Sequence, residues 1–247
     1  MLALLAAVSE ETRLLRQSLR DLEYTTLANL KVWHGTWYDT PICLAHSGLG
    51  KAAAAASAMA LICEFMPTAL WMFGCGGAYP NSTLQIGDLA LADIEIFGDE
   101  GVETHLGFQD LEEMGIPMRN DVRGIVYNKW PVDDALLTWS QPLLRSYAET
   151  TNRRFGTGPF VTVSACTGTS ECGTSLAKRT GGLCENMEGA GASLACRQTD
   201  TPFLELRGIS NLVEDRNRDS WDLPRGMRSA QEAVLELLRH WPPGDPA

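Results

Sequence analysis

Residues 183–211 contain the segment that most restricts how this chain can fold. Glu188 precedes four small residues, 189–192, which open a helical stretch, and a short apolar strand at 203–206 follows a turn. Small residues allow another backbone or a ligand to approach closely. The strand delivers Arg207 and Asn211 at its carboxyl end, where open α/β sheets bind ligands. The segment therefore predicts a sheet rim that carries a carboxylate and an amide.

The rest of the chain alternates strand and helix patterns in the same way. This alternation predicts the α/β class, as a three-layer α/β/α sandwich around a central mixed, mostly parallel sheet. The chain has no convincing linker, so we expect one domain over 1–241 and a frayed tail at 242–247. The predicted strands are 2–8, a pair within 31–47, 69–80, 89–96, 158–164 and 203–206, and the predicted helices are 10–22, 52–62, 142–154, 172–180 and 229–241.

Residues 98–131 are polar and show little periodicity. A loop of this length inside a compact domain is usually functional or disordered. We therefore expect a loop that acts as a lid over the variable end of a substrate.

The charge of the chain excludes some classes of partner. Acidic residues outnumber basic ones by 31 to 20, which gives a net charge of −11. Nucleic acids and anionic membranes attract basic surfaces, so neither is expected as a partner. Residues 1–8 are apolar but lack a basic leader, which favours a first buried strand over a signal peptide. A cytoplasmic enzyme is the predicted class.

The cysteines predict neither disulfides nor a metal site. No C-x-x-C pair occurs, and the chain has only four histidines. This pattern is typical of free buried thiols in a reducing compartment, and neither a metal nor a cofactor is predicted. The seven cysteines are Cys43, Cys63, Cys75, Cys166, Cys172, Cys184 and Cys196.

Two glycine clusters lie beside predicted strand ends. Gly74, Gly76 and Gly77 follow an apolar run, and we expect them to adopt positive φ and to expose backbone N–H groups. The turn at 47–51 reads Ser-Gly-Leu-Gly-Lys, whose spacing does not fit the loop that binds nucleoside triphosphates.

Several motifs resemble the purine nucleoside phosphorylase and methylthioadenosine nucleosidase family. Asn-Met-Glu-Gly-Ala at 186–190 is similar to the ribose-binding signature of that family, and Arg-Gly-Ile-Ser-Asn at 207–211 to its base-binding strand end. The glycine turn at 47–51 also resembles the family. The fuller runs at 185–190, 206–213 and 216–223 are most similar to the futalosine hydrolases, which serve the alternative menaquinone pathway.

The resemblance implies three chemical roles in the cleavage of a purine nucleoside. Glu188 would bind the ribose hydroxyls and stabilise the cationic sugar, and Asn211 would stabilise the departing base. Glu11 would be the general base for water, although Glu10 is the alternative. Because relatives that release adenine place Asp at the position of Asn211, an amide there favours hypoxanthine.

A second group of residues would bind the substrate. Met187 would pack on the sugar, Gly76 and Gly77 would lie beneath it, and Arg207 would orient water. The loop of Thr167 and Gly168 would face the edge of the base.

Alternatives to hydrolysis of futalosine remain open. They are a methylthioadenosine/S-adenosylhomocysteine nucleosidase, a 6-oxopurine phosphorylase with phosphate near Arg13 and 48–50, and a non-catalytic nucleoside-binding protein. A small-molecule nucleoside is the expected partner, and tryptophan-rich loops suggest a homo-oligomer (Trp33, Trp37, Trp130 and Trp139). The candidates for binding the distal carboxylate of futalosine are His105, Arg119, Arg216 and Arg218.

Overall fold

A computed structural model describes residues 1–241, in which strands and helices alternate. The strands are β1 (Leu2–Ala6), β2 (Arg20–Leu27), β3 (Leu30–Trp37), β4 (Thr40–His46), β5 (Ala69–Ala78), β6 (Leu89–Phe97), β7 (Gly101–Thr104), β8 (Gly107–Asp110), β9 (Arg119–Asp121), β10 (Gly124–Val126), β11 (Lys129–Pro131), β12 (Phe155–Thr162), β13 (Cys184–Asn186) and β14 (Phe203–Leu212). The helices are α1 (Arg13–Ser18), α2 (Lys51–Phe65), α3 (Asp134–Thr150), α4 (Ser170–Thr180), α5 (Gly189–Gln198) and α6 (Leu223–Arg239).

Ten of these strands form one mixed sheet in the order β11-β6-β12-β13-β5-β1-β4-β3-β2, with β14 bonded to both β5 and β6. The pairs of β1 with β4 and β5 are parallel, as is the pair of β14 with β5. The outer strands pair antiparallel with their neighbours, β2 with β3 and β11 with β6. Because β14 bridges β5 and β6, the strands β5, β14, β6, β12 and β13 close a ring.

Helices cover both faces of the sheet, which confirms the predicted α/β class. Alternate residues of β1 face opposite sides, as the pleat requires. Leu2 and Leu4 pack in one apolar cluster with α1, α3 and α6. Ala3 and Leu5 pack in a second cluster with α2 and α5. The predicted tail at 242–247 lies outside the described residues.

The first predicted helix is too long. The chain forms a 3-10 turn at Ser9–Thr12 and then α1, which ends at Ser18. Leu19 adopts an extended backbone, and Leu22 belongs to β2. Pairing with β3 in a hairpin satisfies the backbone of β2, and this pairing outweighs the helical spacing of the leucines.

The predicted loop at 98–131 contains ordered hairpins. β7 pairs with β8, β9 pairs with β10, and β11 joins the edge of the main sheet. Gly107 and Gly124 have φ of 116° and 113° in the two tight turns. This conformation is open to glycine and strained for most other residues, so glycines permit hairpins that polar composition alone did not reveal.

The prediction that a helix starts near Pro142 is also wrong. Asp133 accepts a hydrogen bond from the Leu136 N–H at 2.9 Å and caps α3 well before the proline. Leu136, Leu144 and Ala148 bury one face of the helix. The burial of this face stabilises the helix enough to accommodate the proline inside it, although an interior proline costs about 3 kcal/mol.

The tryptophans that suggested an oligomer do not lie on exposed loops. Trp33 and Trp130 are buried, and Trp37 is half-buried. Trp139 packs in an aromatic cluster with Trp71 and Trp241, with ring centroids 5.2 to 5.7 Å apart. Their packing in the core removes this reason for an oligomer, which stays a prediction.

Within residues 1–241, no helix combines the length and the apolar character needed to cross a membrane.

Candidate active site

The segment Gly74–Gly77 of β5 is the floor on which the predicted site residues meet. Its three glycines belong to the extended strand and do not adopt positive φ, so the prediction of positive φ is wrong. They are needed because a Cβ would collide with neighbours. At Gly74 it would overlap the Glu11 carboxylate, and at Gly77 it would lie 3.0 Å from Asn211 Nδ2.

Glu11 projects from the end of β1 onto this floor and is only 2% exposed. Its Oε2 accepts hydrogen bonds from the N–H groups of Ala7 (3.0 Å) and Val8 (3.3 Å), and its Oε1 accepts from the Cys75 N–H at 2.8 Å. Burial raises the pKa of Glu11, while Arg207 opposes the shift. Glu10, the alternative base, is exposed.

Glu188 lies immediately before α5 and is 3% exposed. Its Oε1 accepts from the Gly50 N–H at 3.1 Å, and its Oε2 accepts from Arg207 Nη2 at 3.3 Å. Gly50 has φ of 94° in the 47–51 turn, where a side chain would be strained. The glycine turn therefore holds the Glu188 carboxylate, a role that the sequence did not indicate.

Arg207 is fully buried and contacts both β5 and Glu188. Its Nη1 donates to the Cys75 carbonyl at 3.0 Å, and its Nε donates to Glu205 Oε1 at 2.7 Å. Burial lowers the pKa of Arg207, but Glu205, Glu188 and Glu11 raise it further, so the net pKa is raised and the guanidinium stays charged. One cation thus faces three carboxylates.

Asn211 is half-buried where β14 pairs with Gly77. Its Oδ1 accepts from Ser210 Oγ at 2.8 Å, and its Nδ2 donates to the Leu212 carbonyl at 3.1 Å. The amide therefore has a fixed orientation, and it lies at the same end of β5 as the residues bonded to Cys75.

The remaining predicted binding residues border this floor. Met187 is half-buried beside Glu188. The Thr167 backbone N–H and side-chain hydroxyl both donate to Glu185, which fixes the loop to β13. Gly168 is exposed and accepts a hydrogen bond from the Arg216 N–H at 3.1 Å. Thr167 and Gly168 line a groove of about 830 Å³ together with Phe108 of β8.

The predicted cations lie in different places. Arg216 stacks on Trp221 at 4.7 Å and lies next to Gly168. Arg119 stacks on Trp130 and lines a separate groove, and His105 is exposed in the β7–β8 turn. Arg13 lines a groove between α1 and α6 with Arg228. Arg218 is exposed in a short 3-10 turn.

Sequence reasoning missed two buried acids, Glu95 and Glu205, each 0% exposed. The available signal was a carboxylate within an apolar run, as in the Phe-Leu-Glu-Leu run of β14 and the Ile-Glu-Ile run of β6. Charged residues are almost never fully buried unless they are paired. That pattern could have marked both residues.

The cysteine in the floor of the site, Cys75, is unsuited to nucleophilic attack. All seven cysteines are free thiols, but the prediction that they are buried is wrong for Cys63, Cys166 and Cys172, which are exposed. Burial, followed by the charge of Glu11, raises the pKa of Cys75 to about 12, so the thiol nearest the floor stays protonated. Among the described residues, no group of three or more His, Cys, Asp or Glu side chains is arranged to hold a metal ion.

Comparison with known proteins defines the class of this fold and site. Residues 1–240 match the sequence model of the phosphorylase superfamily, and the chain belongs to this superfamily. A futalosine hydrolase of Streptomyces coelicolor is 33% identical over 174 residues, which are 69% of this chain and 66% of that protein.

Other relatives span nearly the whole chain. A 5'-methylthioadenosine/S-adenosylhomocysteine nucleosidase of Lysinibacillus sphaericus is 25% identical over 240 residues, 96% of this chain and 98% of that protein. The nucleosidase of that name from Neisseria meningitidis, solved with methylthio-immucillin-A, has a TM-score of 0.83 and 20% identity. The match covers 96% of this chain and 98% of that one, and it shows the shared fold.

Proposed function

We propose that this protein is a nucleosidase that hydrolyses the N-glycosidic bond of a purine nucleoside. The observation that carries the proposal is the convergence of Glu11, Glu188 and Asn211 on the Gly74–Gly77 floor. Superfamily membership and the named nucleosidase relatives support it.

Cleavage of this bond develops positive charge on the ribose and negative charge on the base. Glu188 is the carboxylate that binds the ribose hydroxyls and stabilises the cationic sugar, because preorganised charge acts most strongly in the transition state. Met187 forms an adaptable apolar wall beside the sugar. Gly76 and Gly77 lie beneath the ribose and present their backbone to it.

Glu11 is the general base that activates water. Its raised pKa brings it closer to neutral pH, where a general base is most effective. Arg207 balances the charges of Glu11 and Glu188 and orients the water. Arg13 lies in the α1–α6 groove and the Gly50 N–H is already bonded to Glu188, so these phosphate candidates do not form a shared cradle. This separation favours water over phosphate as the nucleophile.

Asn211 recognises the base through one donor and one acceptor. This pair complements O6 and a protonated N7 of hypoxanthine, with Thr167 and Gly168 facing the base edge. We therefore propose futalosine as the substrate and hypoxanthine and dehypoxanthine futalosine as the products, a step of the alternative menaquinone pathway in the cytoplasm. The β7–β8 hairpin is the proposed lid, since its Phe108 lines the same groove as Thr167.

Hydrolysis of methylthioadenosine or S-adenosylhomocysteine is the second candidate. It is favoured by the relative of that activity that covers 96% of the chain. The amide at Asn211 argues against it, because an amide cannot protonate N7 of adenine as an aspartic acid can.

A product assay separates the candidates. The protein is incubated with futalosine, inosine and methylthioadenosine, each with and without phosphate, and the free bases are measured. We expect phosphate-independent release of hypoxanthine from futalosine. Adenine release from methylthioadenosine alone would favour the second candidate, a requirement for phosphate would indicate a phosphorylase, and no release from any nucleoside would favour a binding protein.

A further inference from the structure

Two fully buried carboxyl groups lie near Arg207, and one of them, that of Glu205, binds it directly. Glu205 lies two residues before Arg207 in β14, and its Oε1 accepts from Arg207 Nε at 2.7 Å. Glu95 lies on β6, and its carboxyl group is close enough to that of Glu205 for each to influence the charge of the other. Neither residue has an assigned role in the proposed reaction.

These carboxyl groups lack enough donors to be ionised together. Among residues 1–241, three of their four oxygens, both of Glu95 and Oε2 of Glu205, are buried without a donor. A buried charge without a partner is strongly unfavourable, and two adjacent carboxylates repel each other. A proton on one carboxyl group supplies the missing donor.

The surrounding charges decide which group holds the proton. Glu205 contacts the Arg207 guanidinium directly, which stabilises its ionised form. Within residues 1–241 Glu95 forms no ion pair. Arg207 favours its ionised form, but burial and the acidic neighbours Glu205 and Asp93 oppose that form. The other ionisable groups that face the pair are Glu188 and the Cys184 thiol. The proton therefore belongs on Glu95.

Glu205 also contacts the backbone that carries Glu188. A Cβ at Gly189 would overlap the Glu205 carboxyl group, so the first residue of α5 packs directly on it. Glu205 is thereby in contact with Arg207 and with the residue that follows Glu188.

We infer that Glu95 and Glu205 share one proton, held on Glu95, and that ionised Glu205 is a positioning residue that fixes Arg207 against Glu188. The part of this inference that concerns turnover rests on the proposed function. The shared proton and the position of Arg207 are properties of the folded protein without substrate.

Steady-state kinetics test the positioning role. Glu205→Gln removes the charge opposite Arg207, and we expect kcat to fall at least 10-fold with KM changed less than 3-fold. Glu95→Gln keeps a donor toward Glu205, so its kcat stays within 3-fold of wild type, whereas Glu95→Leu loses activity like Glu205→Gln. Glu23→Gln, on the exposed face of β2, is the matched control. Full activity of Glu205→Gln, or equal losses in Glu95→Gln and Glu205→Gln, would overturn the inference.

Infrared spectroscopy tests the proton without substrate. We expect the wild type at pH 7 to show a carbonyl-stretch band of a buried carboxylic acid that is missing from Glu95→Gln. A protonated Glu11 contributes equally to both spectra, so the difference spectrum isolates Glu95. Absence of a difference band overturns the shared proton.

Crystal structures of the wild type and Glu205→Gln test the position of Arg207 even if the nucleosidase proposal fails. We expect the Arg207–Glu188 hydrogen bond in the wild type and a displaced guanidinium in the variant. An unmoved Arg207 in Glu205→Gln overturns the positioning role.

Discussion

Among residues 1–241, two groups donate to the Glu188 carboxylate, the Gly50 N–H and Arg207, so it can accept further hydrogen bonds. We expect Glu188→Gln to lower kcat roughly 100-fold or more, the size of effect seen when one preorganised transition-state contact is removed. The variant keeps the shape of the side chain, so its circular dichroism spectrum and Tm stay close to those of the wild type. Unchanged turnover on the substrate identified by the product assay would remove Glu188 from the mechanism.

Asn211 sets the choice of base in the proposed function. Asn211→Asp introduces a group that can protonate N7 of adenine. We expect the ratio of adenine to hypoxanthine release to rise about 10-fold or more, because polar groups of the site left without a partner strongly disfavour a substrate. The ratio of kcat/KM for methylthioadenosine and futalosine measures the change. A constant ratio would mean that the base is selected elsewhere.

The strand β5 admits Glu11 to the site only because position 74 lacks a side chain. We expect Gly74→Ala to displace the Glu11 carboxylate, to abolish most activity and to lower the free energy of unfolding by about 1–3 kcal/mol, the usual cost of overpacking. Gly156→Ala in β12 is the matched control, since its Cβ would make ordinary contacts of 3.4 Å. Urea unfolding and the product assay measure both effects, and equal behaviour of the two variants would refute the steric explanation.

The start of α3 depends on one cap. Asp133→Ala removes the acceptor of the Leu136 N–H, and we expect it to lower the free energy of unfolding by about 0.5–2 kcal/mol. Asp134→Ala, one residue later and exposed, lacks that contact and serves as control. Chemical denaturation compares the two, and a larger loss in Asp134→Ala would contradict the assignment of the cap.

The buried carboxyl groups link the stability of the whole molecule to pH. Burial raises the pKa of Glu11, Glu95 and Glu205 above the ordinary value of 4.5, so the folded chain binds more protons than the unfolded chain above that pH. Their contribution to stability is complete below pH 4.5 and is lost as the pH rises through the folded-state pKa values.

Glu95→Gln removes one of these groups from titration. We expect its free energy of unfolding to fall less steeply above pH 4.5 than that of the wild type, by up to about 1.4 kcal/mol per pH unit for one proton. Urea titrations at pH 5, 6, 7 and 8 measure the slopes, with Glu23→Gln as control. Parallel curves for wild type and Glu95→Gln would show that Glu95 is ionised in the folded protein.

Local sequence patterns were sufficient for the elements whose stability is mainly local. The alanine-rich run after Lys51 forms α2, the apolar run after Met1 forms β1, and the small residues after Glu188 open α5. Because open α/β sheets bind ligands at the carboxyl ends of their strands, the sequence also predicted that Glu188 and Asn211 belong to the same rim. Periodicity and sheet geometry carry this information without any knowledge of partners.

Contacts between distant residues were decided only by the tertiary structure. The sequence left Glu10 and Glu11 open, and the Cys75 N–H, contributed by another strand, selects Glu11. The pairing of β2 with β3 shortened the first helix, and the close approach of Glu95 to Glu205 depends on how β6 and β14 meet. These outcomes depend on which strands lie side by side. The sequence pattern of one strand determines which of its faces is apolar, but it does not determine which element packs on that face.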